Sequence, residues 1–149
     1  MKILLLALAL PLLAADPEGF AMWKSSELTE RGKPYKADAT GMAGGGLGSL
    51  GGYSAILVRR DKTGEAESHE NFADVMMVVD GEATLIIGGT VADTRQNSPG
   101  EVRGKSITGG VEKKIGPGDI IHLPAKMPHW VTLQPGKQIT YFLLKLDKK

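Results

Sequence analysis

The 149-residue chain contains no cysteine, so no disulfide holds its fold together, whatever compartment it reaches. It has almost no excess of charge. Eighteen Lys and Arg against 17 Asp and Glu leave a formal net charge of +1, which gives no reason to expect nucleic acid or an acidic surface as a partner. The apolar run at residues 3–13 is interrupted by Pro11 and falls short of the roughly 20 residues that a spanning helix needs, so no permanent membrane anchor is expected. Histidine is scarce: His69, His122 and His129 are the only three. What remains is an ordinary globular composition, 42% apolar and 23% charged, in a length that suggests one domain with a core of its own.

The first fifteen residues stand apart. Met1-Lys2 gives a short positive start, residues 3–13 an apolar stretch and Ala14-Ala15 a small-residue end, the order of a secretory signal peptide cleaved near Ala15. Leu13 is a poor match to a small-x-small site, so the bond itself is not fixed. No Cys follows the run, which excludes a lipoprotein anchor; an uncleaved N-terminal anchor is the alternative. A periplasmic or secreted location is the expectation.

Residues 16–52 read as an N-terminal strand and a glycine-rich connection, and 53–149 as the main domain. Trp23 is expected in a first strand or, with Phe20, over an open barrel end, and residues 26–31 as one helical turn capped by Ser26. Gly46-x-Gly48-x-x-Gly51 spells a dinucleotide fingerprint, but no strand leads into it and a strand, not a helix, follows. The stretch is therefore read as a flexible connection or a lid. From Tyr53 onward, short extended runs at 53–59, 65–69, 75–79, 83–87, 111–115, 119–123, 130–133 and 138–146 alternate with Gly and Pro turns. Asp80-Gly81 is a strong hairpin signal. Many short strands and no long helix argue for an all-β sandwich or barrel. Residues 88–110 read as a long polar loop. Its Arg95, Arg103 and Lys105 read as solvated charges, with a grip on an anionic substrate as the alternative, and residues 145–149 as a solubilising tail.

Two stretches carry the chemistry. In Glu67-Ser-His69-Glu-Asn-Phe-Ala-Asp74, Glu67 and His69 leave an extended strand by one face, and Met76 and Val78 share a face with Asp74. The second stretch, residues 118–129, delivers His122 and His129. If both line one cavity, imidazoles and carboxylates converge as ligands for a divalent metal. Alternation alone leaves His122 facing either cavity or solvent.

The paired stretches resemble the two motifs of the cupin superfamily. His69, Asp74 and Gly81 fall on the second His, the Glu and the closing Gly of the first motif, and Gly118, Pro124 and His129 on the second motif. Glu67 stands in place of the first His, Asp74 is shorter than Glu, and Lys126 replaces the second motif's Gly. The resemblance implies an all-β, cupin-type jelly-roll barrel of one domain, usually a homodimer, with residues 20–23 as a candidate contact. It also implies metal ligation by His69 and His129 and, directly or through a water, by the shorter Asp74; Glu67, the departure from the motif, either joins them as a ligand or stands beside the metal as a general base, and His122, if it faces the cavity, is the other candidate to move a proton. Two His and two carboxylates suit Mn, Fe or Zn better than Cu. The expected activity is that of a metal-dependent enzyme on a small oxygenated molecule. The alternatives are loss of the metal, or a non-catalytic binder of a sugar or carboxylate.

Overall fold

The run Ile139-Thr-Tyr-Phe-Leu-Leu-Lys-Leu-Asp147 is apolar at six of nine positions, four of them consecutive from Tyr141 to Leu144, the pattern of a strand covered on both faces. In the computed structural model, which describes residues 16–51 and 53–147, five successive positions of this strand from Ile139 to Leu143 are buried. A short helix, α1 (Ser25–Gly32), precedes the strands. These are β1 (Met42–Ser49), β2 (Tyr53–Arg60), β3 (Ala66–His69), β4 (Phe72–Gly81), β5 (Ala83–Ile87), β6 (Thr90–Ala92) and β7 (Arg95–Ser98). There follow β8 (Glu101–Gly104), β9 (Ser106–Thr108), β10 (Val111–Ile115), β11 (Ile120–Leu123), β12 (His129–Thr132) and β13 (Ile139–Asp147).

Two antiparallel sheets, ordered β1-β2-β13-β4-β11 and β10-β5-β12-β3-β8-β7, form the body, and β6 and β9 pair separately. Val58, Met76, Val78, Leu123, Ile139, Tyr141 and Leu143 of the first sheet meet Ala83, Leu85, Ile115 and Val131 of the second in one apolar core. Each fully buried aliphatic side chain there contributes roughly 1.5–3 kcal/mol. A second cluster lies on the outer face of the five-stranded sheet. Leu28 of α1 packs there with Ala55, Leu57, Val79 and Phe142, and the Trp23 ring sits 5.1 Å from that of Phe142. β12 meets β3 through a single registered pair, His129 with Glu67.

Several expectations are corrected. The glycine-rich stretch is neither connection nor lid: residues 42–49 form a strand paired along β2 from Met42↔Arg60 to Ser49↔Ser54. Glycine suits it because Tyr35 crosses so closely that a Cβ on Gly45 would meet its hydroxyl at 2.4 Å. Asp80-Gly81 makes no hairpin, since β4 and β5 belong to different sheets and the chain turns a corner between them. Gly81 has φ +77°, and a Cβ there would strike the Gln138 carbonyl at 2.0 Å. The loop expected at 88–110 is built of β6 to β9, and β8 extends the six-stranded sheet beside β3. Trp23 lies outside the strands, and α1 starts at Ser25 after Lys24, which supplies no side-chain cap. Its anchorage is the buried Leu28 rather than capping. The expected leader, residues 1–15, lies outside the described residues; among those described, no helix is long and apolar enough to cross a membrane.

Candidate metal centre

Strand register assembles the site. On the six-stranded sheet, Glu67 of β3 lies between His129 of β12 and Arg103 of β8, and His69 lies opposite Glu101. On the five-stranded sheet, Asp74 of β4 is paired with Lys145 of β13. Directly opposed residues share a face, and both of these groups face the interior. His69, Asp74 and His129 are each only 3% exposed.

The geometry brings four of the expected residues together. The two carboxylate oxygens of Glu67 lie 3.7 Å from His69 Nε2 and 3.5 Å from His129 Nε2. Asp74 Oδ2 approaches the same nitrogens at 3.3 and 3.8 Å. Donors bound to one ion at 2.0–2.2 Å in a tetrahedron are about 3.3–3.6 Å apart, so these spacings fit a divalent transition metal with only small closure. Glu67, His69 and His129 could hold such an ion.

The imidazoles are set for this role. His69 Nδ1–H donates to Glu101 Oε2 at 2.7 Å and His129 Nδ1–H to the Met127 carbonyl at 3.0 Å, so both turn Nε2 toward the cavity. Burial, with help from the nearby His69, pushes the His129 pKa down to about 4, which keeps the ring neutral and able to ligate at pH 7. Burial would raise the Asp74 carboxyl, but His69 beside it and the charge of Lys145 outweigh it and hold the group below its ordinary value.

His122 is not part of the site. It is exposed on β11 opposite Val75, while Leu123 and Asp74 point inward, so the proton-transfer role expected of it is corrected. Alternation fixes this once the buried Leu123 is known. Four residues that sequence reasoning left out of the site belong to it. Lys145, expected in a solubilising tail, places its ammonium 3.3 Å from both His69 Nε2 and Asp74 Oδ1. Arg103, read first as a solvated charge, pairs closely with Glu67 and lies 3.6 Å from Glu101. Arg60, 4% exposed, reaches Glu67 at 3.7 Å while its Nε–H donates to the Tyr141 hydroxyl at 3.1 Å. Glu101 orients His69. Counting in twos from Ile56 and Val58 would have found Arg60, and from Tyr141 and Leu143, Lys145. Glu101 had no such signal.

A cavity of about 130 Å³ opens beside these groups, walled by Ile56, Val58 and Leu143 with Arg60, Arg103 and Lys145.

No family model and no curated protein matches the sequence. Among solved structures, KdgF from Halomonas sp. is similar at 16% identity over 77% of this chain and 88% of its own, with a TM-score of 0.52. The polyketide cyclase RemF from Streptomyces resistomycificus is similar at 16% identity, over 78% of this chain and 76% of that one, with a TM-score of 0.53. A recombinant oxalate oxidase in complex with glycolate is similar at 14% identity, over 92% of this chain and 63% of its own, with a TM-score of 0.54. These are cupin-fold proteins, and the chain has the cupin jelly-roll fold.

Proposed function

We propose that the protein is a metal-dependent enzyme of cupin fold that acts on a small oxygenated molecule. One observation carries this reading: Glu67, His69 and His129 converge in the interior with Asp74 beside them, at donor spacings that suit one ion. Two imidazoles and two carboxylates favour Mn(II), Fe(II) or Zn(II). When bound, the metal would supply Lewis-acid polarisation of a substrate oxygen. The chain's own residues do the rest. Glu101 and the Met127 carbonyl fix both tautomers, and the apolar walls limit water. Lys145 places a proton donor at the donor atoms. A carboxylate paired with two guanidiniums is a weak base, which favours Glu67 as ligand over Glu67 as general base.

A second reading, a non-catalytic binder of a sugar or carboxylate, is favoured by Lys145, whose ammonium already offers a cation to His69 and Asp74. Elemental analysis of protein purified without an affinity tag, before and after incubation with Mn, Fe or Zn, separates the two. His69→Ala should lose the metal and Glu67→His keep or tighten it; unchanged metal in both variants refutes the assignment.

We further place the protein in the periplasm or outside the cell, on the leader-like residues 1–15, and as a homodimer. Phe20 and Met22, 55% and 66% exposed, offer the contact, since Trp23 is engaged with Phe142. Sedimentation of wild type and a Phe20→Ser, Met22→Ser double variant checks the dimer, and cell fractionation the location.

A further inference from the structure

We propose that the ligand of this cavity is a small carboxylate, gripped by Arg103 and Arg60 on the wall between the metal centre and a second, outer cavity. The inference rests on the reading of the centre as a metal site. The inner cavity of about 130 Å³ adjoins an outer one of about 240 Å³, and Met42, Arg60 and Arg103 line both. A molecule passing from one to the other meets both guanidiniums. Arg95 also lines the outer cavity, held there by two bonds to Glu65 of 2.8 and 3.0 Å.

Charge supplies the second argument. Arg60, Arg103 and Lys145 on the inner wall face Glu67 and Asp74, and Glu101, behind His69, brings the network to balance. A divalent ion would add two positive charges to a space with little water, and an anionic ligand would offset them. Shape supplies the third. Water takes about 30 Å³ in the liquid, so the inner cavity suits a body of a few heavy atoms, and Ile56, Val58 and Leu143 give it a carbon-lined wall. The planar guanidinium fork matches a carboxylate.

The test uses the full chain, metal-free and Mn-loaded, titrated by calorimetry with glycolate and lactate, with their uncharged amides, glycolamide and lactamide, and with inorganic phosphate. Metal content is measured separately. The acids should bind the loaded protein about tenfold or more tighter than their amides. Arg103→Gln should weaken the acids by a similar factor, while metal affinity holds or rises because Glu67 is released from its partner; Arg103→Lys should rescue only in part. Metal uptake without preference for the acids, equal or tighter binding of phosphate, or a fall of metal and acid affinity together in Arg103→Gln would each overturn the inference. Acid binding that needs Arg103 in a protein that takes up no metal would sustain the carboxylate grip and overturn the metal reading instead.

Discussion

The interior of this barrel has two unlike ends. Around Leu85, Val78 and Ile139 it is apolar, each of these side chains no more than 1% exposed. Around His69 it gathers three carboxylates, three cations and two imidazoles in one network. The first end is stabilised by removal of carbon from water, which needs no particular orientation. The second is a balance of desolvation cost against pairing, in which every group depends on its neighbours. Stability should therefore reside mainly at one end and ligand binding at the other.

The largest effect expected is on stability. Leu85→Ala should lose about 2–5 kcal/mol in denaturant unfolding, with metal affinity unchanged wherever the variant remains folded. A parallel loss of metal affinity would mean that the two ends are not separable.

Acidification should act on the polar end alone. His129 has its pKa depressed to about 4 from the ordinary 6.5, so between these values the unfolded chain binds a proton that the folded one does not. The contribution is full above pH 6.5 and lost as pH falls toward 4, a loss of about 3 kcal/mol. Asp74, with its pKa lowered, acts with the same sign further down, its contribution fading as pH falls through the carboxylate range. Denaturation midpoints of metal-free protein at pH 7.5, 5.5 and 4.5 read this out, and His129→Gln should flatten the slope.

Glu101→Ala is a smaller perturbation: it removes the acceptor that orients His69 and a carboxylate 3.6 Å from Arg103, but leaves the close Arg103–Glu67 pair in place. It should weaken metal binding about 10–100-fold in a chelator competition, with unfolding little affected. The smallest change expected runs the other way. Lys145→Met withdraws a cation from two of the donor atoms and should tighten metal binding by up to about tenfold. Weaker binding in this variant would show that the ammonium supports the ion rather than competing with it.

Much of the architecture was legible because strand patterns are local. Residues 83–87 and 111–115 alternate or end as their strands do, and Asp74, Met76 and Val78 share a buried face as period two requires. The identity of each strand's partner was not legible. Asp80-Gly81 has the letters of a hairpin, yet sheet membership is decided by pairing with β13 and β12, far along the chain. Residues 42–49 looked like a loop because their side chains carry no pattern; it is their backbone that pairs. At the site, Glu67, His69, Asp74 and His129 were readable from motif spacing. Glu101 and Arg103 depend on β8 lying beside β3, a register that no composition encodes. The facing of His122 was open in the sequence because alternation does not say which parity points inward, and the buried Leu123 decides it.

One seam in the six-stranded sheet gives this a mechanical side. β3 and β12 share only the pair Glu67 and His129, so two half-sheets, β10-β5-β12 and β3-β8-β7, abut there with little backbone stitching. An ion held by Glu67, His69 and His129 would act as a clasp across that join. Filling and emptying the centre would then tighten or relax a whole half of the barrel, visible as slower or faster amide exchange along β3 and β12.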